Sequence, residues 1–175
     1  ISDVQQSNKL QILDIGTGSG CISIYLKKYI NSDLCAIDFC KNALIQAALN
    51  ADEHEVDINF LHMDILNESD SFNLPNYDVI ISNPPYVCEN EVSVDSNIHF
   101  EPFSSIFVPN DNPLIFYKAI CQFAKKHLNK GGKIYLEINH NFSDDLLNMF
   151  INNGYLNVKI HKDFYGKKRF IVVYS

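Results

Sequence analysis

The fold is best predicted from one segment, Tyr77-Asp78-Val79-Ile80-Ile81-Ser82-Asn83-Pro84-Pro85-Tyr86. Its first six residues are mostly apolar, as in a buried strand. Pro84 and Pro85 end that strand because neither can donate a ladder hydrogen bond, and Asn83 is biased toward an extended backbone because it precedes a proline. The segment therefore predicts a stiff corner that offers the Asn83 amide oxygen, the Pro84 carbonyl and the Tyr86 ring to a planar group ending in NH2.

A glycine loop, Gly16-Thr17-Gly18-Ser19-Gly20, follows an apolar run at 11–15. Its glycines permit a tight strand-to-helix turn and close approach of the backbone to a ligand, although a tight turn without a ligand is the alternative. A dinucleotide fingerprint would require glycine or alanine where Cys21 stands. Asp14, just before the loop, suits a positively charged ligand better than a pyrophosphate. The loop and Asp14 are therefore candidates for binding a cationic cofactor.

Strand and helix patterns alternate along the sequence. Strands are predicted at 11–15, 34–39, 58–63, 77–82 and 133–138, and helices at 21–30, 41–51, 113–128 and 143–153. Two further runs, 156–161 and 170–174, have no helix between them and should pair antiparallel. The pattern predicts an α/β fold: a doubly wound, mostly parallel seven-stranded sheet with helices on both faces and a closing antiparallel hairpin. Residues 1–10 are expected to be a linker, residues 11–175 the domain, and residues 87–111 a long functional or mobile loop.

The glycine loop and the proline corner should open into one pocket. In a doubly wound sheet the first and fourth strands lie side by side, and ligands bind beyond their carboxyl ends. Asp38, which ends the second strand, is a candidate for binding ribose hydroxyls, with a helix cap as the alternative. Asp64, after the third strand, is a candidate for an adenine amine, with a solvated turn as the alternative. Together the acids predict S-adenosylmethionine, which carries adenosine, an ammonium and a cationic sulfur.

The proline corner suits one kind of chemistry. An amide nitrogen is a poor nucleophile because its lone pair is delocalised into the carbonyl. Acceptors at Asn83 and Pro84 would bind both amide hydrogens and direct the lone pair at a methyl group, at a near-attack distance of about 3–3.5 Å. The same carbonyls would stabilise the charge that develops on nitrogen. Tyr86 would stack on the planar amide, and core packing is the alternative for this ring.

The composition limits the other possibilities. A net charge of −7 argues against a broad nucleic-acid surface, and no apolar run approaches the ~18 residues of a membrane span. Five cysteines without a CxxC pair indicate reduced thiols and a cytoplasmic protein. The histidines have no metal-ligand spacing, so no metal is expected. Lys167, Lys168 and Arg169 are interpreted as a solvated basic hairpin tip, with contact to a release factor or its RNA-mimicking surface as the alternative.

These motifs resemble those of class I methyltransferases with a Rossmann-like fold, and more closely those of the bacterial release factor glutamine methyltransferase family. The resemblance covers nearly the whole sequence and is carried by 14–20, 83–87, Phe100-Glu101-Pro102, 107–109 and 113–117. It implies methyl transfer from S-adenosylmethionine to the side-chain nitrogen of the glutamine in the Gly-Gly-Gln motif of peptide-chain release factors. S-adenosylhomocysteine is the other product. In the family the glycine loop and Asp38 serve the cofactor, and Asn83 and Pro84 hold the substrate amide. We also expect Pro85 and Glu101 to contact substrate, with a solvated loop acid as the alternative for Glu101, and the enzyme to be a monomer.

Some features depart from the family pattern. The family's amino-terminal helical domain is absent and the sequence does not begin with methionine, so we expect a piece of a longer protein. His99 stands where arginine is common, and Asn139 stands where glycine commonly follows the glutamate at Glu137. The alternatives are methylation of a ribosomal-protein glutamine, methylation of an exocyclic amine in nucleic acid, and a cofactor-binding module without turnover. The net charge disfavours direct nucleic-acid binding.

Overall fold

The computed structural model describes residues 9–67, 74–88 and 106–175. Within them the strands are β1 (Leu10–Ile15), β2 (Ser32–Asp38), β3 (Asn59–His62), β4 (Tyr77–Ser82), β5 (Val87–Cys88), β6 (Phe107–Val108), β7 (Leu128–Glu137), β8 (Asn157–Lys162) and β9 (Lys168–Tyr174). The helices are α1 (Cys21–Tyr29), α2 (Lys41–Glu53), α3 (Ile115–His127) and α4 (Ser143–Asn152), with a short 3₁₀ turn at His140–Phe142.

The main sheet has seven strands in the order β3-β2-β1-β4-β7-β9-β8. The first five of these are parallel, whereas β9 runs antiparallel to both β7 and β8. The predicted fold class and the closing hairpin are thus confirmed. Strands β1 and β4 are neighbours, with Ile15 opposite Ser82. Their carboxyl ends, and the loops that follow them, therefore meet at the point where the winding reverses.

The strands are apolar because the sheet is covered on both faces. One hydrophobic cluster combines strand residues such as Leu13 and Ile80 with residues of α3 and α4, among them Ile120 and Phe150. A smaller cluster packs Ile12 and its neighbours against α1 and α2. The central strands are buried through this double cover, which matches their near-continuous hydrophobic sequences. The sheet is consequently a rigid base for the loops at its carboxyl edge.

Several predicted boundaries differ from the observed ones. Strand β1 begins at Leu10 inside the predicted linker, and α3 begins at Ile115 because Pro113 and Leu114 form a turn. The strand predicted at 133–138 starts earlier, because β7 begins at Leu128 and runs through Gly131 and Gly132. A Cβ on Gly132 would lie 2.8 Å from the Asn129 carbonyl oxygen, so glycine serves close packing in the sheet there.

The ends of the last helix and the last hairpin also differ from prediction. Helix α4 starts at Ser143, as predicted, but ends at Asn152. The turn before α4 is capped by Asn139, whose side chain accepts from the Asn141 amide at 3.0 Å. The interpretation of Arg169 as part of a solvated basic tip is wrong. Arg169 lies in β9, half-buried, with its Nε 3.5 Å from Asp163 and its Nη1 4.0 Å from Glu137. Lys168 is paired with Asp144 at 2.7 Å.

Candidate active site

A cavity of about 570 Å³ opens at the carboxyl ends of the parallel strands. Its wall contains the glycine loop, the acids after β2 and β3, the proline corner and side chains of α3, including Gly16, Thr17, Gly18, Asp38, Asp64, Asn83, Pro84, Pro85, Phe116 and Ile120. The two motifs that the sequence places about 65 residues apart therefore line one cavity, as the predicted strand order requires.

The starting points of the two motifs are tied together by hydrogen bonds. The buried hydroxyl of Ser82 donates to the Ile15 carbonyl at 2.6 Å. Ile15 precedes the glycine loop and Ser82 precedes the corner. On the other side of β1, the amides of Gly16 and Thr17 both donate to the Ile37 carbonyl, at 2.9 and 3.1 Å. The loop and the corner are thus fixed relative to each other by the strand ends.

The three glycines of the loop have two different roles. All three have positive φ, +70° at Gly16, +58° at Gly18 and +84° at Gly20, a region that glycine adopts without strain. At Gly16 and Gly18 an added Cβ would meet nothing within 4 Å, so these positions leave room for a ligand against the backbone. At Gly20 it would lie 3.2 Å from the Cβ of Ala47, so Gly20 allows α1 to pack against α2.

Asp14 lies beneath the loop and is fully buried. Its Oδ2 accepts hydrogen bonds from Thr17 at 2.8 Å and from Ser23 at 2.6 Å. Its Oδ1 has no hydrogen-bond partner among the described residues. Burial raises the pKa of this carboxyl, against the opposing effect of the two hydroxyls. Asp14 is not among the described residues that line the cavity, and it supports the loop through Thr17.

Asp38 and Asp64 both face the cavity and also organise the backbone. Asp38 accepts from the Gly18 amide at 2.9 Å with Oδ2 and from the Cys40 amide at 2.8 Å with Oδ1. This carboxylate therefore joins the glycine loop to the start of α2. Asp64 is exposed, and its Oδ1 accepts from the Leu66 amide at 2.9 Å. A carboxylate has about four lone-pair positions, so each acid retains capacity to accept from a ligand.

The proline corner presents Asn83 to the cavity and buries Pro84. Tyr86 is not among the described residues that line the cavity. It is half-buried, and its hydroxyl donates to Oε1 of Glu137 at 2.9 Å. Burial and the Glu137 carboxylate raise the Tyr86 pKa, so the phenol stays protonated and remains a donor. The stacking of Tyr86 on a substrate stays a prediction, as does the role of Glu101, which lies outside the described residues.

Two residues, the last residue of β7 and one just after that strand, support the corner and were not predicted as site residues. Glu137 accepts the Tyr86 hydroxyl bond. Asn139 is buried and its Nδ2 donates to the Tyr86 carbonyl at 3.1 Å. The sequence marked Asn139 only as a departure from the family pattern. Its contact spans 53 positions, so no local signal could identify it.

The described residues contain no cluster of three or more His, Cys, Asp or Glu side chains suited to a metal ion. The described helices also include none with the length and hydropathy of a membrane span. All five cysteines are free thiols. Cys21 and Cys40 line the cavity, which places them beside the glycine loop and the start of α2.

The chain belongs to the methyltransferase small domain family, whose model matches residues 1–100. It is 38% identical over 164 residues to a release factor glutamine methyltransferase from Bacteroides thetaiotaomicron, covering 92% of this chain and 59% of that protein. A protein of the same name from Flavobacterium psychrophilum is 38% identical over 173 residues, covering 97% of this chain and 60% of its own length. The predicted resemblance to release factor glutamine methyltransferases is thus confirmed. The chain spans about three fifths of the length of these relatives.

The solved structures support the fold. A methyltransferase from Pyrococcus furiosus superimposes with a TM-score of 0.68 at 22% identity, covering 95% of this chain and 75% of that one. At this identity the similarity concerns the arrangement of the sheet and helices.

Proposed function

We propose that this chain is the catalytic domain of an S-adenosylmethionine-dependent methyltransferase that modifies a glutamine side chain of peptide-chain release factors. The observation that carries the proposal is that the Asn83 corner and the open glycine loop line the same cavity. The similarity to release factor glutamine methyltransferases supports the choice of substrate. The glutamine of the Gly-Gly-Gln motif is the residue that we expect to be modified.

The residues around the cavity fit this cofactor. Gly16 and Gly18 leave space for close approach of a ligand, Asp38 would accept from ribose hydroxyls, and Asp64 would accept from the adenine amine. The unpaired Oδ1 of Asp14 keeps negative charge beneath the loop when the carboxyl is ionised, which suits a cationic ligand. When bound, S-adenosylmethionine supplies a methyl group activated by a positively charged sulfur.

The chain's own contribution is to orient the amide. The Asn83 side-chain oxygen and the Pro84 carbonyl accept the two amide hydrogens, so the nitrogen lone pair is directed along the line of attack. The bound group would supply the methyl carbon that this nitrogen attacks, and the electron pair of the broken carbon–sulfur bond would remain on its sulfur. The positive charge that develops on nitrogen is stabilised by the same two oxygens, and one proton is then lost to solvent. The described residues that line the cavity include no histidine, and the reaction needs no strong base.

The corner must be rigid for this orientation to be effective, because a misplacement of about 1 Å can reduce the rate about a hundredfold. Pro84 and Pro85 restrict its backbone. The Tyr86 bond to Glu137 anchors its far end to β7, and the Asn139 bond anchors it to the turn that follows β7. Tyr86 therefore contributes to the site as a positioning residue, in addition to its predicted contact with substrate.

The proposed enzyme is a monomer that works in the cytoplasm and does not bind nucleic acid directly. Five free thiols are typical of a reducing compartment. The net charge of −7 opposes binding to phosphate backbones. Size-exclusion chromatography with light scattering tests the monomer.

Methyl transfer to purified candidates tests the proposed function. The full-length protein is incubated with radiolabelled S-adenosylmethionine and, separately, with release factor, ribosomal proteins, transfer RNA and DNA. We expect label on the release factor, and loss of that label when the Gly-Gly-Gln glutamine is replaced by alanine. Label on nucleic acid or on a ribosomal protein alone would refute the proposal. Tight cofactor binding without any transfer would instead favour a cofactor-binding module.

A further inference from the structure

The turn between β8 and β9 carries two fully exposed aromatic side chains. In this hairpin tip, residues 163–167, Phe164 is 108% exposed and Tyr165 is 92% exposed. An aromatic ring buries about 150–250 Å² when it is covered, and aromatic residues are enriched in protein interfaces. Two adjacent rings in solvent are thus apolar surface that a partner can cover.

The hairpin tip has a defined conformation. The Asp163 carboxylate Oδ1 accepts from the amides of both Tyr165 and Lys167 at 2.9 Å. The Asp163 amide donates to the Lys167 carbonyl at 2.8 Å, and Gly166 closes the turn with φ +81°. A preformed loop loses less conformational entropy when it binds. The hairpin tip therefore presents its aromatic pair in a conformation ready for binding.

The hairpin tip lies at the edge of the sheet where the cavity opens. Glu137, at the carboxyl end of β7, pairs with Phe170 near the start of the antiparallel β9. The hairpin tip thus extends about 10–15 Å past this pair, at about 3.3 Å per residue. Arg169 connects the two regions, since it contacts Asp163 at 3.5 Å and Glu137 at 4.0 Å. Glu137 in turn accepts from Tyr86 of the proline corner.

The charges at the hairpin tip indicate the kind of partner. Lys162 and Lys167 are both exposed and flank the aromatic pair, whereas Lys168 is occupied by Asp144. This is a small positive region on a chain with a net charge of −7. Such a chain as a whole repels nucleic acid, so an acidic protein surface with an apolar centre is the matching partner.

We propose that the hairpin tip docks the protein substrate on a surface beside the methylated glutamine. This rests on the proposed function and names the part of this chain that grips the substrate away from the reacting amide. Phe164 and Tyr165 are the apolar anchors of the contact, and Lys162 and Lys167 pair with acidic side chains at its edge. The link through Arg169 and Glu137 keeps the docking surface in register with the corner.

A double variant, Phe164→Ala with Tyr165→Ala, tests the docking surface against a matched control. Leu156→Ala removes an equally exposed side chain, 92% exposed, at the opposite end of the same hairpin. In the full-length enzyme we expect the double variant to raise KM for intact release factor by about tenfold or more. Its kcat, its S-adenosylmethionine affinity and its KM for a short Gly-Gly-Gln peptide should stay within twofold of wild type, and Leu156→Ala should change none of these.

An unchanged KM for release factor in the double variant would overturn the proposal. An equal rise in KM for the short peptide would do so too, because the hairpin tip would then act on the cavity itself. Direct binding of release factor, followed by fluorescence anisotropy, does not depend on turnover. If only the double variant loses binding to release factor, the docking surface is supported, even if no methyl transfer occurs. Absence of methyl transfer would refute only the proposed reaction. The docking proposal is overturned if the double variant and Leu156→Ala bind release factor equally, or if wild type does not bind it. It is also overturned if the double variant loses binding to RNA but not to release factor.

Discussion

The side-chain amide of Asn139 donates a hydrogen bond of 3.1 Å to the carbonyl of Tyr86, the last residue of the proline corner. Its oxygen accepts from the Asn141 amide at 3.0 Å and so organises the turn before α4. One buried side chain thus fixes both the corner and the element that follows β7.

Replacement of Asn139 should separate these two effects. Asn139→Asp keeps the acceptor for Asn141 but loses the donor to Tyr86. We therefore expect its main effect on kcat and a smaller effect on the free energy of unfolding. Asn139→Ala loses both bonds, and the free energy of unfolding should fall by about 1–3 kcal/mol. Thermal unfolding and steady-state kinetics measure the difference. Equal kcat for Asn139→Asp and wild type would show that the corner does not need this bond.

Asn83→Ala should abolish most of the activity while leaving cofactor binding nearly intact. Removal of one preorganised dipole of this kind costs about 2.7–4 kcal/mol of barrier, a loss of about 100- to 1000-fold in kcat. Calorimetric titration with S-adenosylmethionine checks the binding, and single-turnover kinetics check the rate. Asn42→Ala, an exposed change in the first turn of α2, is the control. If the turnover of Asn83→Ala stayed within twofold of wild type, Asn83 would have no part in the mechanism.

Gly16→Ala should weaken cofactor binding beyond the effect of backbone strain. Gly16 and Gly154 both have positive φ, +70° and +95°, with nothing within 4 Å of an added Cβ. Alanine at either position should therefore destabilise the fold by a similar amount, about 1–2 kcal/mol. Only Gly16→Ala should reduce S-adenosylmethionine affinity, because the methyl group of the new alanine would project from the cavity wall into the cavity. The two variants are compared by thermal unfolding and by calorimetric titration, and equal affinity would contradict this role for the glycine loop.

Asp14→Asn should reveal the cost of a buried charge. Burial raises the Asp14 pKa above its ordinary value of 3.8, so the protonated form is favoured more strongly in the folded state than in the unfolded chain. The contribution of this group to stability is then fully present below pH 3.8 and is lost as pH rises through the raised pKa. The variant can still accept from Thr17 and Ser23, so its stability relative to wild type should increase with pH. Urea unfolding between pH 4 and 7 measures this, and a constant difference would contradict it. Cofactor affinity should fall with the lost negative charge.

The strand order and the shared cavity could be predicted from sequence because both follow from local patterns. Apolar runs mark the strands, and the glycine and proline motifs mark their ends. The extension of β7 through Gly131-Gly132 could not be predicted, since the pairing of β7 with β4 overrides a local stop signal. The positions of Tyr86 and Arg169 depend on Glu137, which is distant from both in sequence. The roles assigned to Asp38, Asp64 and Asn83 remain predictions, although the structure places all three at the cavity.

The two-residue strands β5 and β6 have a practical consequence for changing specificity. Val87 pairs with Phe107 and Cys88 with Val108 in parallel, so the described residues on either side of positions 89–105 lie on neighbouring strands, about 4.8 Å apart. A replacement sequence grafted between Cys88 and Phe107 would begin and end on the same pair of strands, whatever its length. We therefore expect that recognition of new targets can be engineered there while the glycine loop and the proline corner upstream are left unchanged.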